Sequence, residues 1–104
     1  MKFTDAFQNF LNLLQNFFDE YYKQCKTPEN LWKKIKTYEG GRYIKVATFY
    51  GDNCGESVYA FVEKETGAIF KPAGWKAPAK HARGNIFDQN PISCCNPHGV
   101  KYLK

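Results

Sequence analysis

The sequence predicts an α+β protein: two N-terminal helices packed on a small antiparallel β-sheet of three to four strands. Two observations carry this. Apolar residues recur at helical spacing through residues 4–36, and from Arg42 onward the period of alternation falls to two. A third is the Lys64-Glu65-Thr66-Gly67 run between two alternating stretches, a short hairpin turn that makes neighbouring strands antiparallel. At 104 residues the chain is expected to form one domain, helical over 4–36, with the sheet and a basic loop over 42–104.

The first helix spans residues 4–26. Phe3, Phe7, Phe10, Leu11, Leu14, Phe17, Phe18, Tyr21 and Cys25 follow the i, i+3, i+4, i+7 template. Thr4 is the expected N-cap, and Asp5 suits the positive end of the helix dipole. An apolar stripe of this kind packs on a sheet; a homodimer seam or a membrane-surface helix are the alternatives. The membrane option is weak because the polar face is Gln and Asn, with few cations. Thr27-Pro28-Glu29 has the chemistry of a second helix start, with Leu31, Trp32 and Ile35 on one side and Lys33, Lys34 and Lys36 on the basic outer side. Gly40-Gly41 breaks it and permits positive φ.

Three strands follow. Residues 42–50 place Ile44, Val46, Thr48 and Tyr50 on one face and Tyr43, Lys45, Ala47 and Phe49 on the other. Residues 57–63 set Val58, Ala60 and Val62 opposite Tyr59, Phe61 and Glu63. Residues 68–71 return after Gly67, which suits a left-handed position, and Pro72 ends the strand or marks an edge. Residues 77–83 are expected to make one helical turn started by Pro78, and 100–103 a short terminal strand.

The densest local signal runs from Gly67 to Asp88. It carries Lys71, Lys76, Lys80 and Arg83 with no acid before Asp88, with Trp75 at its centre and His81 between two cations. The run Phe70-Lys71-Pro72-Ala73-Gly74-Trp75-Lys76-Ala77-Pro78-Ala79-Lys80-His81-Ala82-Arg83-Gly84-Asn85-Ile86-Phe87-Asp88 follows a VxAFVxKxTG hairpin at Val58 to Gly67. Together they resemble a motif of small bacteriophage-encoded proteins of unassigned function, which close on a short strand like 99–103. The resemblance covers about the second half of the chain. It excludes the N-terminal helical region, and Cys94-Cys95-Asn96-Pro97-His98 departs from the pattern. It implies an origin and no mechanism.

Composition narrows the function classes. Nine Phe, seven Tyr and two Trp argue for a folded chain. The formal charge of +5 is segregated: residues 31–50 and 71–104 hold the excess cations, and 51–70 are net acidic. Segregated positive charge points to an anionic partner. Neither a secretory leader nor a membrane-length apolar run is visible, so the expected place is the host-cell cytoplasm, with no membrane partner and with Cys25, Cys54, Cys94 and Cys95 as reduced thiols.

Four chemistries compete. Polyanion binding uses Lys71, Lys76, Lys80, His81 and Arg83 for phosphates and Trp75 for stacking, with Tyr43 and Phe49, or Tyr59 and Phe61, extending the platform if their sheet face is open. The plain alternative makes Trp75 a core anchor beneath solvated lysines. A metal site would join Cys94, Cys95 and His98 to Cys54 or His81, but the paired C-x2-C knuckles of zinc sites are missing. A Cys–His nucleophile has no local signature, and the phosphate-loop, His-Glu-x-x-His and Gly-x-Ser-x-Gly motifs are absent. The aromatic content also suits a protein-binding surface. The expectation is therefore a non-enzymatic protein without metal or cofactor. It binds an anionic partner, foremost nucleic acid, through Lys71, Trp75, Lys76, Lys80, His81 and Arg83 and the Lys33, Lys34 and Lys36 face. An adaptor or inhibitor of a host or phage enzyme stands second, and a homodimer through the N-terminal helix stays open.

Overall fold

The computed structural model describes residues 2–28, 32–50, 56–96 and 99–100. Among these there is one helix, α1 (Phe3–Gln24), followed by β1 (Lys33–Glu39), β2 (Tyr43–Tyr50), β3 (Glu56–Glu63), β4 (Ala68–Pro72) and β5 (Pro78–Asn85). The five strands form one antiparallel sheet in the order β1-β2-β3-β4-β5, and a short hairpin of β6 (Cys95–Asn96) and β7 (Gly99–Val100) follows. The α+β class stands, with one helix in place of two and five strands in place of three to four.

The helix lies on one face of the sheet. Ala6, Phe10, Leu14, Phe18 and Tyr22, spaced four apart, form its buried stripe against Val46, Tyr59, Ala60, Val62, Ile69 and Ile86. Phe3, Phe7, Leu11, Phe17 and Tyr21 pack half-buried along its flanks. The four-apart stripe is buried within the chain. No helix of the described residues is long and apolar enough to cross a membrane. The start differs from the Thr4 cap expected: α1 begins at Phe3, with Lys2 at the N-cap and no side-chain cap.

The second helix is replaced by β1, and the cause is the closure of α1. Lys26 takes φ of 56°, its N–H bonds Lys23 O at 3.2 Å, and the Thr27 N–H bonds Tyr22 O at 3.1 Å. That pair of bonds is a Schellman closure, and it directs the chain away from the helix axis. The Trp32 indole then donates to Thr27 O at 2.7 Å. Beyond it, Ile35 alternates with Lys34 and Lys36, a period-two pattern hidden behind three residues at helical spacing. The edge of β1 is covered in part by Gln15. Its amide donates to Lys33 O at 3.0 Å and accepts from Ile35 N–H at 3.2 Å, standing in for a strand.

Residues 77–83 belong to a strand, β5, and form no helical turn. Ala73 N–H and Gly74 N–H both reach Ala77 O, at 3.0 and 3.3 Å, and Pro72 sits opposite Pro78. As an edge strand β5 has little apolar alternation to betray it. Gly67 adopts φ of 76°, as the hairpin requires, and a Cβ there would meet the Phe87 ring at 2.7 Å. Gly40 and Gly41 are not in the left-handed region; Gly40 serves by close approach, since its Cβ would lie 3.0 Å from Tyr43 O. Of the terminal strand expected over 100–103, only Val100 is described, in β7, and residues 101–104 lie outside the described ones.

A register shift at Val46/Ala47, where Ala60 and Val58 are the partners, leaves Tyr59 as an extra residue in β3. Strict alternation assigns Tyr59 to the side of Phe61. The bulge instead turns it to the helix, where it meets Phe18 edge-on at 5.3 Å.

Candidate functional site

The other face of the sheet carries Tyr38 from β1, Tyr43 and Lys45 from β2, Phe61 from β3 and Phe70 from β4. The register places Tyr38 opposite Lys45, Lys45 opposite Phe61 and Phe61 opposite Phe70. Tyr43 meets the Phe61 and Phe70 rings edge-on, at 6.2 and 5.8 Å. The 72–78 hairpin brings Trp75 to within 6.3 Å of the Tyr38 ring, although β4 and β1 are three places apart in the sheet. The hairpin reaches across the sheet to make this contact and forms a flap over it. The centre beneath is closed, with Phe61 only 3% exposed, while Trp75 on the rim remains 46% exposed.

Cations are threaded through these rings. Lys45 Nζ lies 4.1 Å from the Trp75 centroid and 5.7 Å from that of Tyr38. Lys36 Nζ lies 5.3 Å from the Tyr38 centroid, and the Arg42 guanidinium 5.3 Å from that of Tyr43. Rings present a negative face to a cation, so each contact holds charge beside an apolar surface. Carboxylates share the face. Arg42 Nε donates to Glu63 Oε2 at 2.6 Å, and Thr66 donates to Glu63 Oε1 at 2.8 Å. These two bonds, Thr66 first, hold the Glu63 carboxyl below its ordinary pKa, and the same pairing raises that of Arg42. The Tyr38 hydroxyl donates to Glu56. Lys36 is raised by its hydrogen bond to Tyr38 and then by the Glu56 charge. Lys45 and Lys76 take part in neither of the salt bridges found among the described residues, Arg42–Glu63 and Lys64–Glu39.

Between the β1–β2 turn and the flap lies a cleft of about 340 Å³, lined by Tyr38, Glu39, Gly40, Gly41, Arg42, Tyr43, Lys45, Phe61 and Lys76. It combines aromatic walls, two cations outside the salt bridges of the described residues, and the backbone of a glycine pair. It offers charge beside apolar surface, with no nucleophile–base pair among its lining residues.

The residues singled out by sequence separate into three groups. Trp75, Lys76, Lys34 and Lys36 fall on or beside this face, the two β1 lysines on a strand rather than on a helix. Lys33 alternates with Ile35 to the helix side, where burial lowers its pKa. Lys80 and His81 are exposed on the edge strand β5. Lys71 alternates with Phe70 and Arg83 is half-buried, with Nε and Nη1 shut from solvent and without hydrogen-bond partners. The basic stretch is therefore not one surface. Trp75 is no core anchor. Of the alternative platforms, Tyr43 and Phe61 share the flap-covered face and Tyr59 does not.

The pattern of a family of unknown function (DUF7717) matches residues 3–98. The chain belongs to this DUF7717 family. The match takes in α1, the whole five-stranded sheet, the flap and every residue of the cleft. No curated protein and no solved structure matches the chain.

Lys45, Tyr38, Arg42 and Phe70 went unmarked in the sequence reading. Alternation already set Lys45 beside Tyr43; Tyr38 falls between the helix expected to end at Lys36 and the strand expected from Arg42. The thiols fit no metal centre built from described residues. Cys94 Sγ and Cys95 Sγ lie 4.0 Å apart and buried, and Cys25 is exposed. Among the described residues no three His, Cys, Asp or Glu are grouped to hold an ion, and Cys54 and His98 lie outside them.

Proposed function

We propose that the flap-covered face binds single-stranded nucleic acid, with Trp75 and Tyr38 as stacking platforms and Lys36, Lys45 and Lys76 as phosphate contacts. The observation that carries this is Trp75: a large aromatic ring, about half exposed, held on a sheet face with a lysine ammonium 4.1 Å from its centre. Bases stack on exposed rings for about 1–3 kcal/mol each, and neighbouring lysines neutralise the backbone. A duplex hides its base faces, so the preference is for single strands. The phage origin suggested by the resemblance agrees with such a role, and the activity is binding alone, without a reaction.

A protein partner is the second reading, and a specific observation favours it. Glu39, Glu56 and Glu63 lie on or beside the same face and would repel a phosphate chain. The test is a titration with a single-stranded oligomer of about ten nucleotides, followed residue by residue by NMR. The nucleic-acid reading expects shifts at Tyr38, Lys45 and Trp75, none along Phe10, Leu14 and Phe18, and weaker binding of the duplex. Equal affinity for duplex, or shifts confined to Lys80 and His81 on β5, would refute it.

A further inference from the structure

We infer that the cleft between the Gly40-Gly41 turn and Lys76 is a subsite for one nucleoside 5′-phosphate unit of a bound single strand. The inference rests on the nucleic-acid reading above and goes beyond it by assigning a pocket, a stoichiometry and an order of contacts.

Size comes first. The cleft measures about 340 Å³, at the small end of the roughly 300–1,000 Å³ typical of small-molecule sites. That room suits one nucleotide and excludes a peptide helix or a duplex end. The walls come next. Tyr43 presents aromatic surface braced from behind, since it abuts Phe70 and the buried Phe61. A braced ring loses little freedom when a base stacks on it. Charge comes last. Of the three cations lining the cleft, Arg42 is held by Glu63 at 2.6 Å, whereas Lys45 and Lys76 are outside the salt bridges of the described residues. A phosphate between them makes two charge-assisted contacts with no carboxylate to displace. Lys45 also links the cleft to the rim. Its ammonium rests over Trp75, so a phosphate that draws Lys45 inward uncovers the indole for the next base. One unit in the cleft therefore primes the stacking platform beside it.

The experiment titrates the intact chain with adenosine 5′-monophosphate, adenosine, inorganic phosphate and a single-stranded oligomer of about ten nucleotides. Adenosine 5′-monophosphate should shift the Tyr43 and Phe61 ring signals, compete with the oligomer, and bind at least about tenfold more tightly than adenosine or phosphate alone. Lys76→Glu, an exposed change that spares the fold, should weaken the mononucleotide by about tenfold or more. Lys23→Ala, which removes a helix cation on the far side, should leave it unchanged. If the oligomer binds and the mononucleotide moves neither ring, the subsite is wrong and the nucleic-acid reading stands. If neither binds, both fall. Phosphate binding as tightly as the mononucleotide would reduce the cleft to an anion site, and mononucleotide binding without competition would cut its link to the strand. Either result overturns the inference.

Discussion

The two faces of the sheet bury their aromatic rings in different ways. On one, a 22-residue helix covers the sheet, and Phe10, Leu14 and Phe18 are wholly shut from solvent. No ionic contact is needed there, because apolar matches apolar. On the other, a short hairpin covers Phe61 but leaves Trp75 on the rim, and four cation–ring contacts and a buried carboxylate, Glu63, accompany the rings. Cation–ring contacts also contribute stability, so the two faces are closed by different chemistry: apolar packing under the helix, and charge laid over rings beneath the hairpin.

The largest expected effect tests the helix-covered face. Phe18→Ala removes a fully buried ring packed on Tyr59 and should cost about 3–5 kcal/mol, measured by urea unfolding. A loss below about 1 kcal/mol would mean the helix is not the main cover of the sheet. The hairpin that carries β4 back gives the next effect. Gly67→Ala forces a side chain into φ of 76° and against Phe87, at a cost of about 1–2 kcal/mol or more. Trp75→Ala should be the mildest of the three in stability, because the ring is about half exposed and loses chiefly its lysine contact, about 0.5–1 kcal/mol. A cost equal to that of Phe18→Ala would erase the distinction between the faces.

A pH dependence sharpens the same contrast. Glu63, on the flap-covered side, has its folded-state pKa lowered by Thr66 and Arg42. A lowered carboxyl stabilises the fold fully above the unfolded glutamate value of about 4.3, and this is lost as pH falls through the lower folded value. Glu63→Gln should therefore flatten the acid limb of a stability-versus-pH curve. An acid limb identical to that of the parent would place the acid-sensitive group elsewhere.

Much of this was legible in the sequence, where the pattern was long. The i+4 stripe of α1 runs through Phe10, Leu14 and Phe18, and its burial follows from spacing alone. The alternation of β2 and the left-handed turn at Gly67 were also legible. Short patterns failed. Leu31, Trp32 and Ile35 fit a helix by spacing, but the closure of α1 at Lys26 turns the chain away, and Gln15 pairs with the β1 backbone eighteen and twenty residues on. The bulge at Tyr59 leaves no local trace, yet it moves one aromatic from the candidate site into the core. For the candidate site, the sequence pattern groups Trp75 and Lys76 with Lys80, His81 and Arg83 along the chain, whereas the sheet gathers Tyr38, Lys45 and Phe61 from separate strands near Trp75 and Lys76.

The measurement closest to the central claim is the salt dependence of single-strand binding by the parent, Lys45→Met, Lys76→Ala and Trp75→Ala proteins. The parent's affinity should fall steeply with salt. Each lysine variant should make the log–log slope shallower by about 0.7, one phosphate contact on a single strand. Trp75→Ala should weaken binding at every salt concentration and keep the slope, because stacking releases no counterions. Parent protein that binds no single strand at about 50 mM salt, where phosphate contacts are strongest, would contradict the account.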